Sequence, residues 1–153
     1  MVRWHGRSTM NSTAALLVDT WGWLALRDRR ELRHREVKAA FEGTRSCKTP
    51  VFTTDFVLDE TFTLFFRRLS FHKATASMEL LTTSCEEGAV ALVAISPVYF
   101  RAAQELRLKF KDKPFISFTD LCTMAVMREL EIRRILTEDK HFEHVGFGFE
   151  LVP

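Results

Sequence analysis

No stretch of this chain is apolar for long enough to cross a bilayer. The longest run, Ala89 to Ile95, has seven residues, where a membrane helix needs about twenty. Charge of one sign is also lacking: 22 basic residues against 20 acidic ones leave +2 at pH 7, too little to argue for a nucleic-acid partner on net charge alone. Cysteine is scarce. Cys47, Cys85 and Cys122 are odd in number, far apart and without C-x-x-C spacing, which argues against a disulfide framework or a zinc site and for buried thiols in a reducing compartment. Internal repeats and low-complexity tracts are absent. Residues 1–13 are polar, without the apolar centre of a signal peptide. They read as a loose extension, in which Met10 is a second candidate start, ahead of a single domain over 14–153. The expectation is a soluble, cytoplasmic protein with no membrane partner.

What is present points to a globular core. Apolar residues make up 46% of the 153 and charged residues 27%, with 14 phenylalanines against one tyrosine; this excludes the disordered class and suits one domain with a phenylalanine-rich interior. Short continuous apolar runs at about 14–19, 51–53, 89–95 and 134–137 read as strands buried on both faces, and 149–152 as a further edge strand. Helical patterns lie between them. They run from Trp21 to about Arg27, from Glu31 to Glu42 with Gly43 as a stop signal, and from Phe56 to Leu69 after a Thr54 or Asp55 cap. Others run from Ser70 or His72 to about Glu86 before Gly88, from Pro97 behind the Ser96 cap to about Phe110, and from Ser117 onward. This alternation predicts a three-layer α/β/α sandwich around a mainly parallel sheet.

Four acids stand out by position. Asp19 ends the first strand, Asp139 follows the fourth, and Asp120 completes capping-box spacing with Ser117. Glu60 lies in a helix between Phe56 and Leu64, one turn away on either side, and a carboxylate flanked by apolar neighbours needs a partner. Each has a plain alternative: Asp19 as a helix N-cap, Asp120 as a first-turn acid favoured by the helix dipole, Asp139 as a solvated turn residue. Taken together they converge on the C-terminal edge of the sheet, where open α/β folds bind ligands. Clustered carboxylates repel unless a cation is present, and hard oxygen ligands select magnesium or manganese. Such clusters serve metal-assisted phosphodiester hydrolysis. The basic cluster of Arg27, Arg29, Arg30 and Arg33 suits contact with RNA phosphates, or equally a solvated helix face laced with Glu31 and Glu36.

The motifs LLVDT at Asp19, LDETFTLF at Glu60, SFTD at Asp120 and ILTEDKHF at Asp139, in this order, resemble a PIN domain. That nuclease family includes the VapC-type toxins of prokaryotic toxin–antitoxin systems, and the resemblance covers the chain from Ala14 onward. It implies a magnesium- or manganese-dependent endoribonuclease with Asp19, Glu60, Asp120 and Asp139 as metal-binding quartet, and with Thr20, Ser117 and Thr137 as hydrogen-bonding residues that orient them. It also implies a homodimer and an antitoxin protein whose tail blocks the acidic site. A haloacid-dehalogenase-like phosphatase would need D-x-D-x-T at the first strand, which Asp19-Thr20-Trp21 does not supply. In a receiver domain Lys140 would be poorly placed. The alternative within the fold is a non-catalytic PIN-like module that holds RNA or protein.

Overall fold

The computed structural model describes residues 14–153; the extension assigned to 1–13 lies outside them. Five strands form one sheet, all parallel, in the order β3-β2-β1-β4-β5. The strands are β1 Leu16–Val18, β2 Val51–Thr54, β3 Ala91–Val93, β4 Arg134–Leu136 and β5 Glu150–Val152. The helices are α1 Thr20–Arg27, α2 His34–Ser46, α3 Asp55–Arg68, α4 Phe71–Glu86, α5 Pro97–Lys109, α6 Phe118–Glu129 and α7 His141–His144. The architecture is the three-layer sandwich expected, with every strand pair parallel. None of the described helices is long and apolar enough to cross a membrane.

Side-chain alternation along the short strands builds two cores. Leu17 and Ile135 face one side, joining α5, α6 and α7 through residues such as Leu106, Met124 and Phe142. Leu16, Val18 and Leu136 face the other, meeting Trp23, Val37, Phe65 and Leu81 of α1 to α4. Both faces of the sheet are therefore covered by helices, which is why β1 and β3 are apolar throughout rather than alternating with polar residues. Helix α6 is buried around its whole circumference over two turns: seven consecutive residues from Leu121 to Met127 are buried.

Three expectations are corrected. Gly43 does not stop the second helix, which starts at His34 rather than Glu31 and continues to Ser46. Open space surrounds Gly43, so nothing there breaks the helix, and the chain turns instead at Lys48, whose φ is 53°. Leu32, inside the expected helix, lies before the observed one and is fully exposed. Cys85 and Cys122 are buried free thiols, whereas Cys47 is exposed. The one-turn helix α7 was not foreseen between the fourth strand and the last.

Gly22 fixes how closely α1 can approach the sheet. A methyl group there would stand 2.6 Å from the Leu136 carbonyl oxygen and 2.9 Å from Val18 Cγ1. The Trp21-Gly22-Trp23 triplet is thus a contact residue between two anchors, with Trp23 packed inside and its Nε1–H donated to Thr53 Oγ1 at 3.1 Å. Gly22→Ala should destabilise the protein by roughly 1–3 kcal/mol through overpacking. Gly43→Ala, which meets nothing, should be neutral or stabilising by about 0.5–1 kcal/mol from helix propensity. Thermal melts of both variants check this, and equal melting temperatures would show that the contact at Gly22 relaxes freely.

Candidate active site

The chain steps outward from β1 to β2 and β3, then returns to place β4 on the other flank of β1. That reversal leaves a crevice beyond the C-terminal ends of β1 and β4, the usual ligand position in such sheets. Asp19 leaves β1 there. Its N–H donates to the Leu136 carbonyl at 3.2 Å and its own carbonyl accepts from Trp23 N–H at 3.1 Å, so its backbone is held by the sheet on one side and by α1 on the other.

Asp19 occupies the N-cap position of α1, yet its side chain makes no capping bond. Oδ2 accepts from Thr137 Oγ1 at 3.0 Å, and Oδ1 is buried without a hydrogen-bond partner. The Thr137 oxygen accepts in turn from the Asp139 N–H at 3.1 Å. One hydroxyl thereby joins the acid after β1 to the acid after β4. On α3, which Thr54 caps by accepting from Val57 N–H, half-buried Glu60 accepts from Thr20 Oγ1 at 3.1 Å. At the start of α6 the Ser117 hydroxyl accepts from Asp120 N–H at 3.0 Å, leaving the Asp120 carboxyl free to turn toward the other acids. Asp139 Oδ1 accepts from His141 N–H at 2.9 Å. His141 Nδ1 is 3.0 Å from the same oxygen but off hydrogen-bond geometry.

Asp19, Glu60, Asp120 and Asp139, with Thr20, Ser117 and Thr137, all line one cleft of about 670 Å³. The electrostatics match their crowding. Burial, first, and then the charges of Asp19 and Asp139 push the Asp120 carboxyl up to about 8, with Asp139 accepting its proton and Ser117 acting in the opposite direction. Burial also raises Asp19 to about 6, with Glu60 and Asp139 adding to the rise. The Thr137 hydroxyl opposes it, as does the Thr20 N–H, which favours the anion without meeting hydrogen-bond geometry. Among the described residues no group of three or more His, Cys, Asp or Glu side chains is already placed to hold a metal ion. What the cleft does offer is a donor set of hard carboxylate oxygens, one of them buried and orphaned, whose mutual repulsion a cation would relieve.

The basic cluster lies elsewhere, and most of it is engaged. Arg27 donates to Ser77 Oγ at 2.7 Å. Arg30 grips Asp28 through Nε and a terminal nitrogen at 3.0 and 3.2 Å. Arg33 pairs with Glu36, donates to the Pro153 carbonyl and lies 5.5 Å from the centre of the Trp21 ring. Arg29 is exposed. None of the four lines the cleft.

No family model matches the chain. It is 29% identical over 133 residues to the 23S rRNA-specific endonuclease VapC20 of Mycobacterium tuberculosis, covering 86% of this chain and 95% of the relative, in each of two strains. The crystal structure of M. tuberculosis VapC20, described as a Sarcin-Ricin loop cleaving toxin, superposes with a TM-score of 0.76 at 28% identity, over 91% of this chain and all of that one. The fold is the PIN-like α/β/α sandwich of the VapC proteins, which this chain resembles in sequence and structure. VapBC2 from Rickettsia felis, solved on a DNA fragment from its promoter, shares the fold at a TM-score of 0.68 and 12% identity, over 90% and 96% of the two chains.

In this PIN-like fold the sequence reading missed Arg68 and Lys140, which also line the cleft. A signal for Arg68 exists: Glu60, Leu64 and Arg68 recur every four residues, hence along one face of α3. Asp28, 2% exposed and held well below the usual carboxylate range chiefly by the Arg30 guanidinium, was not singled out either.

The raised acids set a pH dependence for the metal-free protein. A carboxyl whose folded value lies above its unfolded value of about 4 keeps its proton longer in the folded state. Stability is then greatest below pH 4 on this account and declines as pH rises through about 6 for Asp19 and about 8 for Asp120. In chelator, Asp120→Asn should lose less melting temperature between pH 5 and 8 than wild type and exceed it at pH 8 by several degrees, each kcal/mol relieved being worth roughly 2–4 °C at this chain length. Parallel pH curves for the two proteins would exclude ionisation of Asp120 as a source of strain.

Proposed function

We propose that this PIN domain is a magnesium- or manganese-dependent endoribonuclease and the toxin of a toxin–antitoxin pair. The observation that carries this reading is the meeting of Asp19, Glu60, Asp120 and Asp139 in one cleft, in a chain that aligns along nearly its whole described length with an rRNA endonuclease. Asp19, Glu60, Asp120 and Asp139 would hold the metal, which when bound supplies a Lewis acid for the phosphoryl oxygen and lowers the pKa of attacking water. To hold it the carboxylates would draw closer together, since among the described residues no three of them already stand placed around one ion.

The chain's own contribution is positional and acid–base. Thr137 holds Asp19 and the Asp139 backbone in register across β1 and β4, and Thr20 does the same for Glu60. Ser117 fixes the first turn of α6, so that Asp120 enters the cleft from a helix buried continuously from Asp120 to Met127. Asp120 keeps its proton near neutral pH in the absence of a cation and would release it on holding the metal, so metal binding would be accompanied by proton release. A stem–loop of ribosomal RNA is the substrate to try first, by analogy with VapC20, and an antitoxin tail would act by filling the same cleft. The homodimer implied by the family and the outlying contribution of Arg27, Arg29, Arg30 and Arg33 to RNA binding belong to the same proposal.

Purified protein should cleave RNA with magnesium or manganese and not with chelator. Asp120→Asn and Asp19→Asn should each reduce the rate by at least about 100-fold, the scale of a lost acid–base or metal-binding group. Product analysis on a gel, with circular dichroism to confirm folding, decides it. Folded amide variants that cleave at the wild-type rate would overturn the catalytic assignment and leave a binding module.

A further inference from the structure

The acidic cleft must admit a polyanion, and two cations line it: Arg68 on α3 and Lys140 immediately after Asp139. Six acids line it with them, Glu31 and Glu138 in addition to the quartet. Arg68 lies two turns beyond Glu60, about 12 Å along the helix axis, too far to neutralise the quartet and well placed for a neighbouring phosphate. Its guanidinium is 2.8 Å from Glu31 Oε1 and 3.6 Å from Asp28 Oδ2, and the side chain remains 44% exposed.

The obvious reading of Arg68 is a structural counter-charge for buried Asp28. That role is already filled. Asp28 receives both Arg30 side-chain bonds and the Arg30 backbone N–H at 3.0 Å, and its lowered pKa is attributable first to Arg30, with Arg68 last among the causes. Arg30 also donates to the Arg68 carbonyl, which holds the end of α3 in place without using the Arg68 side chain. What remains for Arg68 is one exposed ion pair with Glu31, a class of contact that adds little to stability. A phosphate offers the same guanidinium a better bidentate acceptor with more charge.

Building on the nuclease reading, we propose that Arg68, assisted by Lys140, grips the RNA backbone beside the acidic quartet, and that Glu31 occupies the Arg68 guanidinium until a phosphate displaces it. Glu31 then acts against binding: it keeps the cleft's strongest phosphate ligand neutralised when no RNA is present.

The test measures binding of a single-stranded RNA oligonucleotide across a salt series, in an Asp120→Asn background so that cleavage does not interfere. Arg68→Gln should weaken binding roughly tenfold and flatten the salt slope by about 0.7, the value for one single-strand phosphate contact. Arg68→Lys should recover part of the affinity, and Lys140→Gln should flatten the slope independently. Glu31→Gln should tighten binding several-fold with Arg68 present and much less in an Arg68→Gln background, whereas simple loss of one negative charge would tighten both alike. Unchanged binding in Glu31→Gln together with an unchanged slope in Arg68→Gln would overturn the proposal. Should Arg68→Gln fail to fold, unchanged binding in both Glu31→Gln and Lys140→Gln overturns it instead. Cleavage by the chain with native Asp120 is scored separately. Cleavage without Arg68-dependent binding removes the grip and leaves the nuclease, whereas Arg68-dependent binding without cleavage does the reverse.

Discussion

The Thr137 hydroxyl is the bond on which the cleft depends. It is 1% exposed, donates to Asp19 and accepts from the Asp139 backbone, so the ends of two neighbouring strands are joined by a single oxygen. A hydroxyl suits this place because it both donates and accepts. A valine of similar shape would leave the Asp19 carboxylate with neither oxygen bonded, a buried charge of the kind proteins rarely tolerate. A lysine or arginine would satisfy Asp19 but remove the negative potential that the cleft concentrates.

That choice is clearest in the contrast between the residues flanking α1. Asp19 and Asp28 are both buried, 6% and 2% exposed, and they are separated by one short helix. Asp28 has two arginines beside it and is held below the usual carboxylate range. Asp19 has only hydroxyl and amide dipoles, faces other carboxylates, and is pushed up to about 6. At Asp19 burial is the largest cause of the rise, whereas at Asp28 the Arg30 guanidinium outweighs it. The fold can neutralise a buried aspartate and does so at the far end of α1, while among the described residues no lysine or arginine pairs with Asp19, Glu60, Asp120 or Asp139. Perturbed carboxyls of this kind mark functional sites more often than structural ones.

Much of this was legible from residue order. Apolar runs ending in Asp19 and just before Asp139 mark buried parallel strands whose ends share an edge, and Ser117 marks the helix that brings in Asp120. Glu60 was found through its apolar neighbours on the helix surface, which imply a partner, and Thr20 supplies it. What escaped depends on contacts between distant positions. The tie between Arg68 and Glu31 spans 37 residues, and the recurrence of Glu60, Leu64 and Arg68 marks a shared helix face but not the partner that meets it. The engagement of Arg27 by Ser77, 50 residues away, is hidden in the same way. Gly43 misled for a local reason: glycine stops a helix when the next turn needs positive φ, and here that conformation falls five residues later, at Lys48.

The position of Asp19 is coupled to a contact that has no polar side chain in it. Its N–H donates to the Leu136 carbonyl, the same oxygen that a methyl group at residue 22 would strike. The sheet end, the α1 backbone and the first acid therefore meet at one carbonyl. Displacing α1 by a few tenths of an ångström would lengthen the Asp19 bond, already 3.2 Å, and tilt the carboxylate away from Thr137. Since the acids are bonded to hydroxyls rather than to rigid cationic partners, the geometry of the cleft is set by backbone packing beneath it. Gly22 thus positions the site without touching it, and the two tryptophans that flank it hold α1 at that distance.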